Sequence, residues 1–217
     1  MAHLLHVWHE RNGWSHRVLP ALAESLDLGR VHNSQISNLR NGKLASPGPE
    51  VFLALAQANT ILSHGKEIIE GKLETHPELL KALSDACPIE GDDGEPLGAG
   101  DFFEIFVGLA PLPSSFDWFI EDHEAESLSA ALAEHLCNRR PWRQSREQVM
   151  QAYPVNKPSR RERFAEVMAG LRDYTAEELD GELLDLYETN RKLSGSVLIG
   201  VDTFLEDLRK RALALNK

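Results

Sequence analysis

Ser34-Gln35-Ile36-Ser37-Asn38-Leu39-Arg40-Asn41-Gly42-Lys43 is the stretch from which the fold is read. Ile36 and Leu39 stand three apart, so a helix sets both on one face. Asn33, Ser34, Ser37 and Asn38 fall on other faces, and all carry small hydrogen-bonding side chains. Asn41-Gly42 tolerates the left-handed backbone that ends a helix, and Lys43 makes the exit basic. The pattern predicts a helix over Asn33–Asn41 with an apolar back and an amide-and-hydroxyl front. Such a front matches the donor and acceptor pattern of base edges in a DNA major groove, while nearby cations and backbone N–H groups hold phosphates.

Working outward, Leu19, Leu22, Ala23 and Leu26 form a helical apolar stripe that Asp27-Leu28-Gly29 ends. Pro20 lies inside that stripe, so the helix either kinks there or starts just before it. On the other side Pro47-Gly48-Pro49 is a rigid turn, followed by Val51, Phe52, Leu55 and Ala56 at helical spacing. With these neighbours, residues 1–62 resemble the phage-repressor-like (Cro/C1, or XRE) helix-turn-helix family. The resemblance is carried by Leu22-Ala23, by Ile36-Ser37-x-Leu39-x-x-Gly42-Lys43, and by Phe52-x-x-Leu55-Ala56.

The resemblance implies that the second motif helix enters the major groove. Asn33, Ser34, Gln35, Ser37 and Asn38 are then the candidates for base edges. Arg17, Arg30, Arg40, Asn41 and Lys43 are the candidates for phosphate, and His32 at the helix start is placed to cap or to touch phosphate. The connection from Ala23 to Ile36 is longer than the family's, so the turn must bulge. Arg40 stands where the family often has Glu, and on this reading adds a phosphate-facing charge.

Charge is distributed unevenly within a net of −11. Residues 1–62 carry five basic and four acidic side chains, whereas residues 63–138 carry three and seventeen. Residues 139–163 reverse the sign, with eight basic and two acidic, and residues 164–217 carry seven and eleven. A near-neutral head binds DNA through a few placed contacts, with less long-range attraction than a basic one. The basic run Arg139, Arg140, Trp142, Arg143, Arg146, Lys157, Arg160, Arg161 and Arg163 has two readings: a second nucleic-acid contact, or ion pairing with the acidic segment 63–138.

At 217 residues with 42% hydrophobic content the chain has the size of one or two soluble domains. No apolar run approaches a membrane span, and the start lacks the charge and apolar core of a signal peptide, so a cytoplasmic protein with no membrane partner is expected. Cys87 and Cys137 lack metal-type spacing and are read as reduced thiols. His3, His6 and His9 repeat every three residues with nothing to complete a metal site, so they are read as a solvated or half-buried face and no metal is expected. No phosphate loop, nucleophile elbow or His-Glu-x-x-His is present, which points away from an enzyme and from any cofactor.

The expected fold class is all-α: a helix-turn-helix DNA-binding domain over 1–62 and a helical effector or oligomerisation domain over 63–217. Helices are expected near 2–11, 49–62, 65–73, 77–86, 101–109, 124–137, 145–153, 159–171, 175–193 and 196–215. The Gly- and Pro-rich acidic stretch Pro88–Gly100 reads as a mobile loop, and the aromatics at 116–120 read as core or interface. The last two apolar stripes, one through Leu179, Leu183, Leu186 and Tyr187 and one through Val197, Val201, Phe204 and Leu208, pack within the subunit or dimerise. Expected partners are double-stranded DNA and a second copy, because a two-fold protein matches a palindromic site. The alternative is a protein–protein adaptor whose helix-turn-helix no longer binds DNA, with a partner at 63–138.

Overall fold

Apolar spacing of three and four residues becomes eleven α-helices in the computed structural model, which describes residues 1–28, 31–43, 46–64, 71, 73–195 and 200–215. No strand occurs among these residues, only one antiparallel bridge between Glu90 and Pro96. Residues 65–70 and 72 of the helix expected over 65–73, the residue Arg30 and the stripe position Val197 lie outside the described residues. Among the described residues no helix is long and apolar enough to cross a membrane.

The chain divides into two compact units, Met1–Asp117 and Trp118–Lys217. The first contains α1 (Ala2–Asn12), α2 (Val18–Ser25), α3 (Asn33–Arg40), α4 (Pro49–His64), α5 (Pro77–Leu83) and α6 (Ala99–Val107). Pro20 is the third residue of α2, where its missing N–H has no intrahelical acceptor to lose. The boundary expected at 62/63 falls inside this unit. Leu73, Leu79, Leu83, Ile89, Leu97, Phe102 and Phe116 share one core with Leu22, Ile36 and Leu55. Helices α4 and α6 are packed together, with the Phe52 ring 5.7 Å from that of Phe103 and 5.5 Å from that of Phe106.

Pro88–Gly100 is a pinned turn, correcting the reading of a mobile loop. Asn59 is fully buried on α4, and its Nδ2 donates to the carbonyls of Ile89 (2.7 Å) and Leu97 (3.2 Å). Its Oδ1 accepts from the Ile89 N–H at 2.6 Å. Leu97 N–H closes the turn on Ile89 O at 3.0 Å. Asn12 on α1 repeats the device one residue pair away: its amide bonds both the N–H (2.7 Å) and the carbonyl (3.1 Å) of Cys87. The indoles of Trp8 and Trp14 donate to Cys87 O and Ala82 O. Composition made this stretch look loose, but two buried amides and two buried apolar anchors, Ile89 and Leu97, hold it.

The second unit holds α7 (Ala125–Leu136), α8 (Trp142–Ala152), α9 (Pro158–Met168), α10 (Ala176–Ser194) and α11 (Val201–Leu215). Helix α7 packs against α9, α10 and α11, and α8 against α9 and α10. Leu179, Leu183, Leu186, Phe204 and Leu208 are all buried in this core, so the last two stripes pack within the subunit. The aromatic group at 116–120 straddles the division: Phe116 joins the first core, Trp118 and Ile120 the second, and Phe119 is exposed.

A buried ionic network runs between α9 and α10. Glu182 is fully buried and receives Arg160 Nε at 2.8 Å, Arg163 Nη2 at 2.9 Å and the Tyr153 hydroxyl at 2.5 Å. Arg160 also reaches Asp185 at 2.8 Å, and Arg163 reaches Glu178 at 3.1 Å. Burial opposes the Arg160 charge, but the bonds to Glu182 outweigh it and raise its pKa. Burial and the Glu182 charge together push the Tyr153 phenol up, so it stays a donor. Arg161 instead caps the carbonyls of Met150 and Val155. The cations at 160–163 therefore pair with acidic side chains of α10 or cap backbone, whereas Arg139, at the start of the basic run, does pair with the 63–138 segment, through Glu134 at 3.0 Å.

Candidate nucleic-acid interface

Helix α3 forms because its apolar pair finds a core and its ends find caps. Ile36 and Leu39 are buried, and α3 packs on α1 and more lightly on α2. At the start, the His32 N–H donates to Gln35 Oε1 at 2.9 Å, the arm of a capping box that satisfies an orphan donor. At the end, Gly42 adopts φ +64°, and the N–H groups of Gly42 and Lys43 bond Leu39 O and Asn38 O at 3.2 and 2.7 Å. This double bond pattern closes a helix only where the backbone turns left-handed, which glycine permits.

The ten candidates then separate by position. Ser34, Asn38 and Asn41 stand at i, i+4 and i+7 and form an exposed ridge opposite Ile36 and Leu39. Asn33 is exposed beside it, and Ser37 is half-buried within reach of Asn41 Nδ2 at 3.5 Å. Lys43 is exposed at the exit and Arg17 is exposed at the start of α2. Gln35 is half-buried, and its carbonyl oxygen already serves the His32 cap.

Arg40 does not stand with the ridge. Its Nε donates to His6 Nδ1 at 3.0 Å and its Nη2 lies 3.7 Å from Glu10 Oε1, both on α1. The reason is angular: Arg40 is four residues after Ile36 and so flanks the buried stripe. His6 and Glu10 are also four apart and present a matching pair. Sequence reasoning missed these two partners, although the paired spacings were there to find. His9, in the same histidine series, is fully buried with Nδ1 2.6 Å from Leu5 O, and burial lowers its pKa to about 4. The histidine repeat is thus half-buried at His3 and His6, as one of the two readings had it, and fully buried at His9.

Between α2 and the start of α3 lies an open groove of about 680 Å³, lined by Arg17, Pro20, Glu24, Asp27, His32 and Asn33 among others. Its acidic members Glu24 and Asp27 oppose a phosphate there, and among the described residues the cation lining the groove is Arg17. Residues 1–117 as a whole carry eight basic and sixteen acidic side chains. Among the described residues no three His, Cys, Asp or Glu side chains are grouped to hold a metal ion.

Residues 1–108 match a family model described as a domain of unknown function (DUF8644), and residues 125–217 match another described likewise (DUF8645). The chain is similar to one in each compact unit, and neither match crosses the division at 117/118. No curated protein and no solved structure matches it.

Proposed function

We propose that this chain is a sequence-specific DNA-binding transcriptional regulator of the repressor-like helix-turn-helix type, working by occupancy of its site. The observation that carries the reading is the ridge Ser34, Asn38 and Asn41, exposed opposite Ile36 and Leu39 with Lys43 at its end. Small amide and hydroxyl groups of that kind pair with adenine and guanine edges, and the basic exit meets the phosphate of the adjoining strand. Asn33 and Ser37 flank the ridge and extend the reading surface. Arg17 supplies a second phosphate contact.

A two-fold arrangement follows from the logic of palindromic sites, and a homodimer is part of the proposal. The exposed apolar side chains Leu53, Phe103 and Val107, on the packed helices α4 and α6, support a surface for the second copy. A protein of this kind works in the cytoplasm.

A second reading is favoured by two observations: the acidic excess of residues 1–117, and an Arg40 guanidinium turned onto α1. On that reading the helix-turn-helix no longer binds DNA, the acidic segment 63–138 engages a protein, and the chain is an adaptor. Selection of random-sequence duplexes at low and moderate salt separates the two. The regulator enriches a motif with two-fold symmetry and loses it steeply as salt rises. The adaptor enriches nothing even at low salt.

A further inference from the structure

The second unit contains a cavity of about 490 Å³ where α7 ends, beside α8, α10 and α11. His135, Asn138, Arg140, Gln148, Asn190 and Arg211 line it, and among the described residues the lining includes no carboxylate. In a chain of net charge −11 that exclusion is informative. Asp207 approaches Arg211 through Nε at 2.6 Å, which leaves the two terminal nitrogens of that guanidinium outside the pair.

Asn190 is 3% exposed, and its Nδ2 has no hydrogen-bond partner among the described residues. His135 lies beside it and bonds the Asn190 side chain, and burial lowers the imidazole pKa. A buried amide donor left without an acceptor loses its hydration with nothing in return, so such groups mark places where an acceptor is expected. The backbone at the rim is unusual as well: Asn138 and Arg139 are consecutive non-glycine residues with φ +50° and +58°. That turn sends Arg139 outward to Glu134 and leaves Arg140 on the cavity side.

We propose that this cavity binds a small phosphorylated molecule, with Arg140 and Arg211 on the phosphate and the Asn190 amide as the buried donor. Planar guanidinium groups take phosphate oxygens in pairs. The volume lies within the range of small-molecule sites and accommodates a phosphate with an attached polar body. The site is independent of the DNA reading, because every residue in it belongs to the second unit.

The test uses the full chain and inorganic phosphate at constant ionic strength, read by thermal denaturation and by phosphorus NMR line broadening. The expected result is a saturable rise in melting temperature with matching broadening. The double variant R140Q/R211Q and the single variant Q148E, which places a carboxylate on the exposed lip, should each weaken binding at least tenfold. R143Q, on α8 outside the lining and equal in charge change to Q148E, should leave it unchanged. Stabilisation that never saturates, or that survives both R140Q/R211Q and Q148E, overturns the proposal, since phosphate also stabilises proteins by exclusion from their surfaces.

Discussion

The two units are of similar size and both all-helical, yet they hold their interiors together with different chemistry. In the first, neutral groups latch loops to helices: Asn59 on Ile89 and Leu97, Asn12 on Cys87, and two indoles on backbone carbonyls. In the second, charges do it: Glu182 receives Arg160, Arg163 and Tyr153 between α8, α9 and α10. A neutral latch loses a few hydrogen bonds when cut. A buried ionic hub, cut at its centre, leaves uncompensated charge, so the same kind of substitution should hurt the second unit more.

The largest effect is expected from Glu182→Ala. Arg160, Arg163 and the Tyr153 hydroxyl lose their shared acceptor, and removal of one member of a buried pair costs about 3–5 kcal/mol. Urea denaturation measures the loss, and hydrogen exchange should place it in α9 and α10 while α1 stays protected. A protection loss of equal size in α1 would break the contrast between the units.

Acid should find the first unit next, through His9. Its pKa falls from 6.5 to about 4 on folding because burial disfavours the imidazolium. The neutral form is the folded one, so stability is full above pH 6.5 and declines as pH falls toward 4. The linkage over that window is about 3 kcal/mol. His9→Gln should flatten the pH dependence of the urea midpoint between those limits. An unaltered slope would remove His9 from the account.

Asn59→Ala should cost less than the ionic hub, about 1–3 kcal/mol, because it leaves the buried Ile89 N–H without its acceptor. Exchange should rise selectively over 88–97 if the latch is what orders that turn. The smallest effect on stability belongs to Arg40→Ala, below about 1 kcal/mol for a half-exposed pair. It is also expected to leave DNA retention nearly intact, in contrast with Lys43→Ala, since the Arg40 guanidinium is engaged on α1.

The sequence was legible where spacing and caps act locally. Ile36, Leu39 and Asn41-Gly42 announce α3 within one residue of its observed end, and Thr175 with Glu178 announces α10 by a capping box that the structure forms. It was opaque where partners are distant. Asn59 reads as a blemish in an apolar run until Ile89 and Leu97, some thirty residues on, arrive at its amide. Arg160 and Arg163 read as a nucleic-acid contact or as partners of segment 63–138 until Glu182 is brought between them by helix packing. Of the candidate interface, the placing of Ser34 and Asn38 away from Ile36 and Leu39 followed from periodicity, whereas Asn41, read as a phosphate contact, joins their ridge only in the structure. Gln35 and Arg40 do not stand with it, because capping and the α1 pair withdraw them. The division at 117/118 was hidden for the same reason, since it depends on Phe102 and Phe116 closing a core begun by α1 to α4.

The most direct test of the central claim is a side-by-side selection from random-sequence duplexes with the natural chain and with Asn38→Ala, both shown to melt at the same temperature. The account expects the natural chain to enrich a motif and the variant to lose preference at one or two symmetric positions, with the rest retained. An identical motif from both proteins, or none from either at low salt, would contradict the reading of α3 as the helix that meets the bases.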